Sequence, residues 1–155
     1  MEWTTLAGTG LGALVGVGST LFADRVRWRR EAAERARRER REIYVGCLTR
    51  YRLAYEGMHT AADRHREAPP ADRETAVREA FRNSGCDEVR ESVLLCAPQE
   101  MATVVEDVYA TLRELLEVLA AGEPALDSAE FQEHRMKHAR AVWAARTAMR
   151  AELSS

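Results

Sequence analysis

The residues and spacings that common active sites require are scarce in this sequence. Its three cysteines show no CxxC spacing, so neither a dithiol redox motif nor a cysteine-rich zinc site is indicated. No glycine-rich stretch is followed by Lys-Ser or Lys-Thr, which a phosphate-binding loop would need. No arrangement of serine, histidine and aspartate indicates nucleophilic catalysis. These absences favour a protein that is not an enzyme and that needs no cofactor.

Charged residues are also missing between Trp3 and Ala23. A helix over that stretch would be about 31 Å long at ~1.5 Å per residue, which is enough to cross the hydrocarbon core of a bilayer. Glu2 and the lack of an early lysine or arginine argue against a cleaved signal peptide. A buried helix of a soluble protein is the other alternative, because glycine makes the stretch only moderately apolar. The sequence predicts a transmembrane helix over residues 1–23.

Positive charge follows this segment and never precedes it. Nine arginines lie between Arg25 and Arg41, and Lys137 is the only lysine of the chain. Because positively charged flanks stay in the cytoplasm, we expect a single-pass protein of a cell inner or plasma membrane. Its N-terminus would face outward and residues 24–155 would be cytoplasmic. Five residues directly after the segment are expected to contact lipid headgroups: Arg25, Arg27, Trp28, Arg29 and Arg30.

The formal net charge of −2 hides an asymmetry along the chain. Residues 24–52 carry eleven arginines and five acidic residues, whereas the rest of the chain carries twelve basic and twenty acidic residues. This polarity fits an anchor on anionic lipid. It makes nucleic acid an unlikely partner, because acidic residues interrupt the basic run. Residues 24–42 are therefore predicted to be a basic juxtamembrane helical stalk.

Small residues recur at every fourth position of the N-terminal segment. Residues four apart share one face of a helix, and in lipid such a face lets two backbones approach closely. Glycine enrichment alone is the alternative explanation, since Gly10 and Gly18 lie on other faces. Similar glycine ridges occur in small oligomeric channels, so a channel or membrane-perturbing effector is an alternative function. The predicted self-association face of a homo-oligomer comprises Thr4, Gly8, Gly12, Gly16 and Thr20.

Apolar residues beyond the stalk follow the alternating spacing of three and four that is typical of coiled coils and helical bundles. Proline and glycine at residues 68–70, 83–85, 98 and 122–124 separate the helices. The last helix is predicted to be capped by Asp127. We expect an all-α fold, in which the transmembrane helix continues into a cytoplasmic antiparallel bundle of about four helices over residues 43–155. The predicted core stripes are Tyr44, Leu48, Tyr51, Tyr55, Met58, Ala62 and His65; Met101, Val105, Val108, Leu112, Leu115 and Leu119; and Phe131, His138, Val142, Ala145, Met149 and Leu153.

Two histidines of the last predicted helix are weak candidates for a metal site. His134 and His138 are four residues apart, a spacing that can hold a metal ion. The glutamate that a zinc-protease helix needs next to its first histidine is absent, and Arg135 and Lys137 disfavour a cation. No metal is therefore expected, and a metal-dependent enzyme is the second alternative function. The cysteines are expected to be reduced, small core residues.

Three features of the chain carry a resemblance. They are the glycine-rich N-terminal segment, the basic helix with Trp28-Arg29-Arg30 and the 37–41 run, and the junction at residues 94–98. With these features the chain resembles a loose class of small single-span membrane proteins of high-GC bacteria. The resemblance implies an anchor and a helical bundle and implies no activity. The sequence predicts a membrane-anchored interaction or scaffold protein that self-associates through the glycine ridge and binds a cytoplasmic protein partner.

Overall fold

The computed structural model describes the backbone of residues 3–123 and 125–154 and the side chains of residues 24–123 and 125–154. Five helices occupy this part of the chain: α1 (Trp3–Arg64), α2 (Pro70–Arg82), α3 (Cys86–Cys96), α4 (Gln99–Ala121) and α5 (Ala129–Ser154). The described residues contain no β-strand, so the all-α prediction is confirmed. The chain divides into two compact units, Met1–Glu39 and Arg40–Ser155.

The transmembrane prediction is not supported by the described part of the chain. Within it, no helix is long and apolar enough to cross a membrane. The side chains of residues 1–23, where the span was predicted, lie outside the description. The glycine ridge of Thr4, Gly8, Gly12, Gly16 and Thr20 lies there too. Both the span and the ridge therefore stay predictions.

The second unit is built around α4, the most deeply buried helix. All six residues of its predicted stripe are buried, from Met101 to Leu119. On its sides α4 packs against α2, α3 and α5. Its Tyr109 ring also lies 6.3 Å from the Tyr51 ring of α1. The predicted core face of this helix is confirmed, and the fold is a bundle that closes around it.

Helices α1 and α5 run antiparallel within this unit. The Tyr55 ring of α1 stacks on the His138 ring of α5 at 5.8 Å. Nearer the start of α1, Arg40 Nε lies 3.1 Å from a carboxylate oxygen of Glu152 near the end of α5. Residues later in α1 therefore lie next to residues earlier in α5. The stripe predicted for α1 is buried at Tyr44, Tyr51, Met58 and Ala62 and half-buried at Leu48, Tyr55 and His65.

The starts of α3 and α5 are set by the residues that precede them. Gly85, in the predicted break at residues 83–85, is the N-cap of α3, with a φ of 72°. Helix α5 was expected to be capped by Asp127, but the Phe131 N–H donates to the hydroxyl of Ser128 at 3.1 Å. Since α5 begins at Ala129, residue 128 is the one whose side chain reaches the N–H three residues ahead.

Gly122 and Arg73 together end α4. Gly122 has a φ of 74°, a left-handed conformation that side chains other than hydrogen disfavour. Arg73 of α2 donates from Nη2 to the carbonyl oxygen of Ala121 at 2.6 Å. The guanidinium thereby neutralises part of the negative end of the α4 dipole. An added Cβ at Gly122 would collide with the Arg73 guanidinium, so glycine is needed for two reasons.

Replacing Gly122 by alanine should therefore destabilise the protein by about 1–2 kcal/mol, because the left-handed conformation is strained and Arg73 must leave its cap. Gly46 is the matched control, since it lies inside α1 with open space around an added Cβ. Gly46→Ala should stabilise by about 0.5–1 kcal/mol. Urea unfolding followed by circular dichroism measures both. Equal effects of the two substitutions would contradict the assigned role of Gly122.

Candidate functional site

A groove between α1 and α5 is the site where exposed aromatic and cationic side chains meet. It encloses about 310 Å³. A second hollow, which shares Leu48, Arg52 and Arg146 with it, extends along α1 past Leu53. We call this surface the α1–α5 groove. Its lining residues are Leu48, Tyr51, Arg52, Tyr55, His138, Ala139, Val142, Trp143 and Arg146.

Trp143 is the most conspicuous residue of this groove. It is 69% exposed, although tryptophan usually buries a large apolar area. The stripe that α5 turns to the core runs through His138, Ala145 and Met149, all of them buried. On a helix Trp143 lies about 140° around the axis from His138 at 100° per residue, so it falls off that stripe. Its large ring therefore faces solvent at the edge of the groove.

His138 forms the floor of the groove and is buried. Its Nδ1 lies 2.9 Å from the Thr111 hydroxyl oxygen, and Thr111 donates its single proton to the Val108 carbonyl at 2.8 Å. Nδ1 must then carry the proton and donate to Thr111, which leaves Nε2 as an acceptor. Burial lowers the pKa of His138 to about 4. The imidazole is therefore neutral near pH 7.

The walls of the groove are positively charged. Arg52 donates to Glu56 at 2.7 Å, so this guanidinium is partly neutralised by its own helix. Among the described residues, no carboxylate lies within ion-pair distance of Arg146. Burial raises the pKa of the Tyr55 hydroxyl, and the positive charge of Arg135 opposes that rise. The groove thus joins an apolar aromatic floor to arginine walls.

The structure places the two candidate histidines, His134 and His138, in different surroundings. His138 is buried against Tyr55 and Thr111, whereas His134 is half-exposed, with its Nδ1 4.0 Å from Glu114. That carboxylate is held by Lys137 at 2.7 Å. Among residues 24–123 and 125–154, no three potential ligand side chains come together. His134 and His138 are one turn apart on α5, but the ring of His138 contacts Thr111 of α4 and Tyr55 of α1.

The cysteines differ in their surroundings. Cys47 and Cys86 are buried in the core, and burial raises the pKa of Cys47 to about 11. Burial raises the pKa of Cys86 as well. Both are therefore protonated thiols near pH 7. Cys96 was also expected in the core, but it is exposed at the end of α3, so that expectation was wrong.

The residues expected to contact lipid headgroups lie on the exposed surface of the first unit. All five are exposed, and Trp28 is 66% exposed: Arg25, Arg27, Trp28, Arg29 and Arg30. The Arg27 guanidinium donates to Glu31 one turn further at 2.9 Å. Exposure leaves these side chains accessible, and headgroup binding stays a prediction.

A larger cleft of about 440 Å³ lies between the end of α1 and the α4–α5 connection. Its two arginines are already engaged. Arg66 donates to Asp63 at 2.7 Å, and Arg73 caps α4. The cleft therefore offers fewer available charges than the α1–α5 groove. Sequence reasoning missed Arg52, Trp143 and Arg146, and the one available signal was a tryptophan off the apolar stripe of α5.

Acid should destabilise the protein through His138. Its ordinary pKa of 6.5 applies to the unfolded chain, whereas the folded value is about 4. Between these two pH values the unfolded state binds a proton that the folded state does not, so stability falls as the pH falls. The contribution of neutral His138 is complete above pH 6.5. We expect it to be lost towards pH 4, with a total on the order of 3 kcal/mol.

His138→Gln tests this assignment, since an amide can still bond Thr111 but does not titrate. Unfolding free energies of the variant should vary less between pH 6.5 and 4 than those of wild type. Met136→Gln is the matched control, because Met136 is exposed on the same helix and does not titrate. It should keep the wild-type pH profile. An unchanged slope in His138→Gln would contradict a neutral buried His138.

Comparisons with known proteins identified no relative of this chain. No family model matches the chain, and neither a curated protein nor a solved structure matches it. The α1–α5 groove and the charge pattern of the chain are accordingly the observations from which a function can be argued.

Proposed function

We propose that this chain is a membrane-anchored interaction protein. Residues 1–23 would anchor it and mediate self-association, and the bundle would bind a protein partner on the cytoplasmic side. Support for the anchor is the uncharged segment from Trp3 to Ala23 with arginines only behind it. The exposed Trp28 and its flanking arginines suit an interface with anionic headgroups.

The single observation that carries the interaction role is the α1–α5 groove. Trp143 is 69% exposed, and Arg146 lines the same groove. Among the described residues, no carboxylate lies within ion-pair distance of Arg146. Tryptophan and arginine are the residue types that most often dominate the binding energy of protein interfaces. Beneath them, the buried His138 is already bonded to Thr111 and stacked on Tyr55. A rigid floor under accessible anchors favours recognition over catalysis.

The anchor is tested by placing a charge in the middle of the segment. Val15→Arg should move the full-length protein from the membrane fraction into the soluble fraction, because an arginine at the centre of a span costs about 2.5–3.5 kcal/mol on insertion scales. Val15→Ile is the matched control and should stay membrane-bound. Partition of the proteins after alkaline extraction of membranes measures both. Wild-type protein that is recovered entirely in the soluble fraction would rule out the anchor.

Self-association through the ridge is tested by filling its groove. Replacing Gly12 and Gly16 by isoleucine should block close approach of two helices, with a loss of roughly 1–2 kcal/mol per contact at most. Leu11→Ile and Val15→Ile alter other helical faces and should leave oligomerisation unchanged. Analytical ultracentrifugation in detergent gives the oligomeric state. If the glycine double variant associates as wild type does, the ridge is not the interface.

A further inference from the structure

We infer that the α1–α5 groove binds an acidic amphipathic helix of a partner protein. The inference rests on the proposed partner-binding role of the bundle, and it does not depend on the membrane anchor. Helical peptides commonly lay an apolar face into a groove between two helices. The shape, charge and anchoring residues of this groove each argue for such an occupant.

The groove is long enough to hold about two turns of a helix. Along α1 the lining runs from Leu48 to Tyr55, and along α5 from His138 to Arg146. At ~1.5 Å per residue these stretches are about 10 and 12 Å long. The two helices lie antiparallel, so the groove is an open channel bounded on both sides. A two-turn helix presents apolar anchors at positions i, i+3 or i+4, and i+7, which fits this length.

The charges select an acidic occupant. Arg146 lines the groove, and Arg135 is near enough to act on the Tyr55 hydroxyl. Among the described residues, neither arginine has a carboxylate within ion-pair distance. Arg52 on the opposite wall forms an ion pair with Glu56, and Glu56 is itself exposed to solvent. Guanidinium groups bind carboxylates through two parallel hydrogen bonds, so a partner with carboxylates beside its apolar face gains affinity and register. A basic helix would meet the same walls with repulsion.

Apolar contacts would supply most of the affinity. Trp143 would be desolvated on binding, and the half-buried ring of Tyr55 would be covered further. His138 is neutral near pH 7, so covering it leaves no buried charge. Two helical turns are about seven residues, whereas a stable interface involves about 20–30 residues on each side. The short groove therefore argues for a transient partner and against a permanent second copy.

The test uses the full-length chain in nanodiscs of zwitterionic lipid, with empty nanodiscs as the blank. The probe is a fluorescein-labelled 18-residue peptide with leucine at i, i+3, i+4 and i+7 and glutamate on the flanks. A second peptide carries lysine in place of every glutamate. Fluorescence anisotropy should give a Kd in the micromolar range for the acidic peptide and binding at least tenfold weaker for the lysine peptide.

Trp143→Ala and Arg146→Glu should each weaken binding of the acidic peptide at least tenfold. Both residues are exposed, so helicity and thermal unfolding should stay as in wild type. Leu95→Ala is the matched control, because Leu95 is 83% exposed on α3 and lies outside the groove. It should bind as wild type does. Arg146→Glu should also improve binding of the lysine peptide.

Three results would overturn the inference. Wild-type affinity of both groove variants for the acidic peptide would exclude the groove, and equal affinity of the two peptides would exclude charge selection. A change from oligomer to monomer in Trp143→Ala, seen by sedimentation, would show that a second copy covers the groove. The membrane anchor and the groove can fail separately. If wild-type protein is soluble but binds the acidic peptide, the anchor is wrong and the groove inference stands. If the protein is membrane-bound but does not bind the peptide, only the anchor stands.

Discussion

The burial of α4 is the constraint on which the rest of the fold depends. A strict spacing of three and four residues gives a narrow apolar seam, but α4 also buries Ala102, Thr111, Leu116 and Ala120 beside that seam. Each large side chain removed from water contributes about 1.5–3 kcal/mol. A stripe this wide cannot be covered by one neighbour. Helices α2, α3 and α5 therefore pack around it, and Tyr51 of α1 reaches its Tyr109.

Periodicity made the helices and their inward faces predictable, because burial repeats with the helical turn. The same information does not fix helix ends to the residue. Ser128 and Asp127 are both good caps, and only the position at which the backbone enters the helix decides between them. Cys96 shows the corresponding limit for the core. All three cysteines were expected to be small core residues, but Cys96 is the last residue of α3 and is exposed.

The candidate site was less predictable than the fold. Its two walls, around Arg52 and Arg146, are separated by more than ninety residues, and they meet only because α1 and α5 pair in one antiparallel register. A single sequence gives the face of each helix but not which faces become neighbours. His138 illustrates the consequence. Its spacing from His134 suggested a metal ligand, whereas Thr111 and Tyr55 from two other helices hold its ring.

The same pairing of α1 and α5 produces both the inert floor and the accessible rim of the groove. Stacking of Tyr55 on His138 closes the space beneath, and burial keeps the imidazole neutral. On the next turn of α5 Trp143 lies off the buried stripe, so its ring remains exposed at the edge of the groove. Cationic side chains then border an uncharged base. In such a site apolar contact determines affinity and the arginine walls determine which partner is accepted.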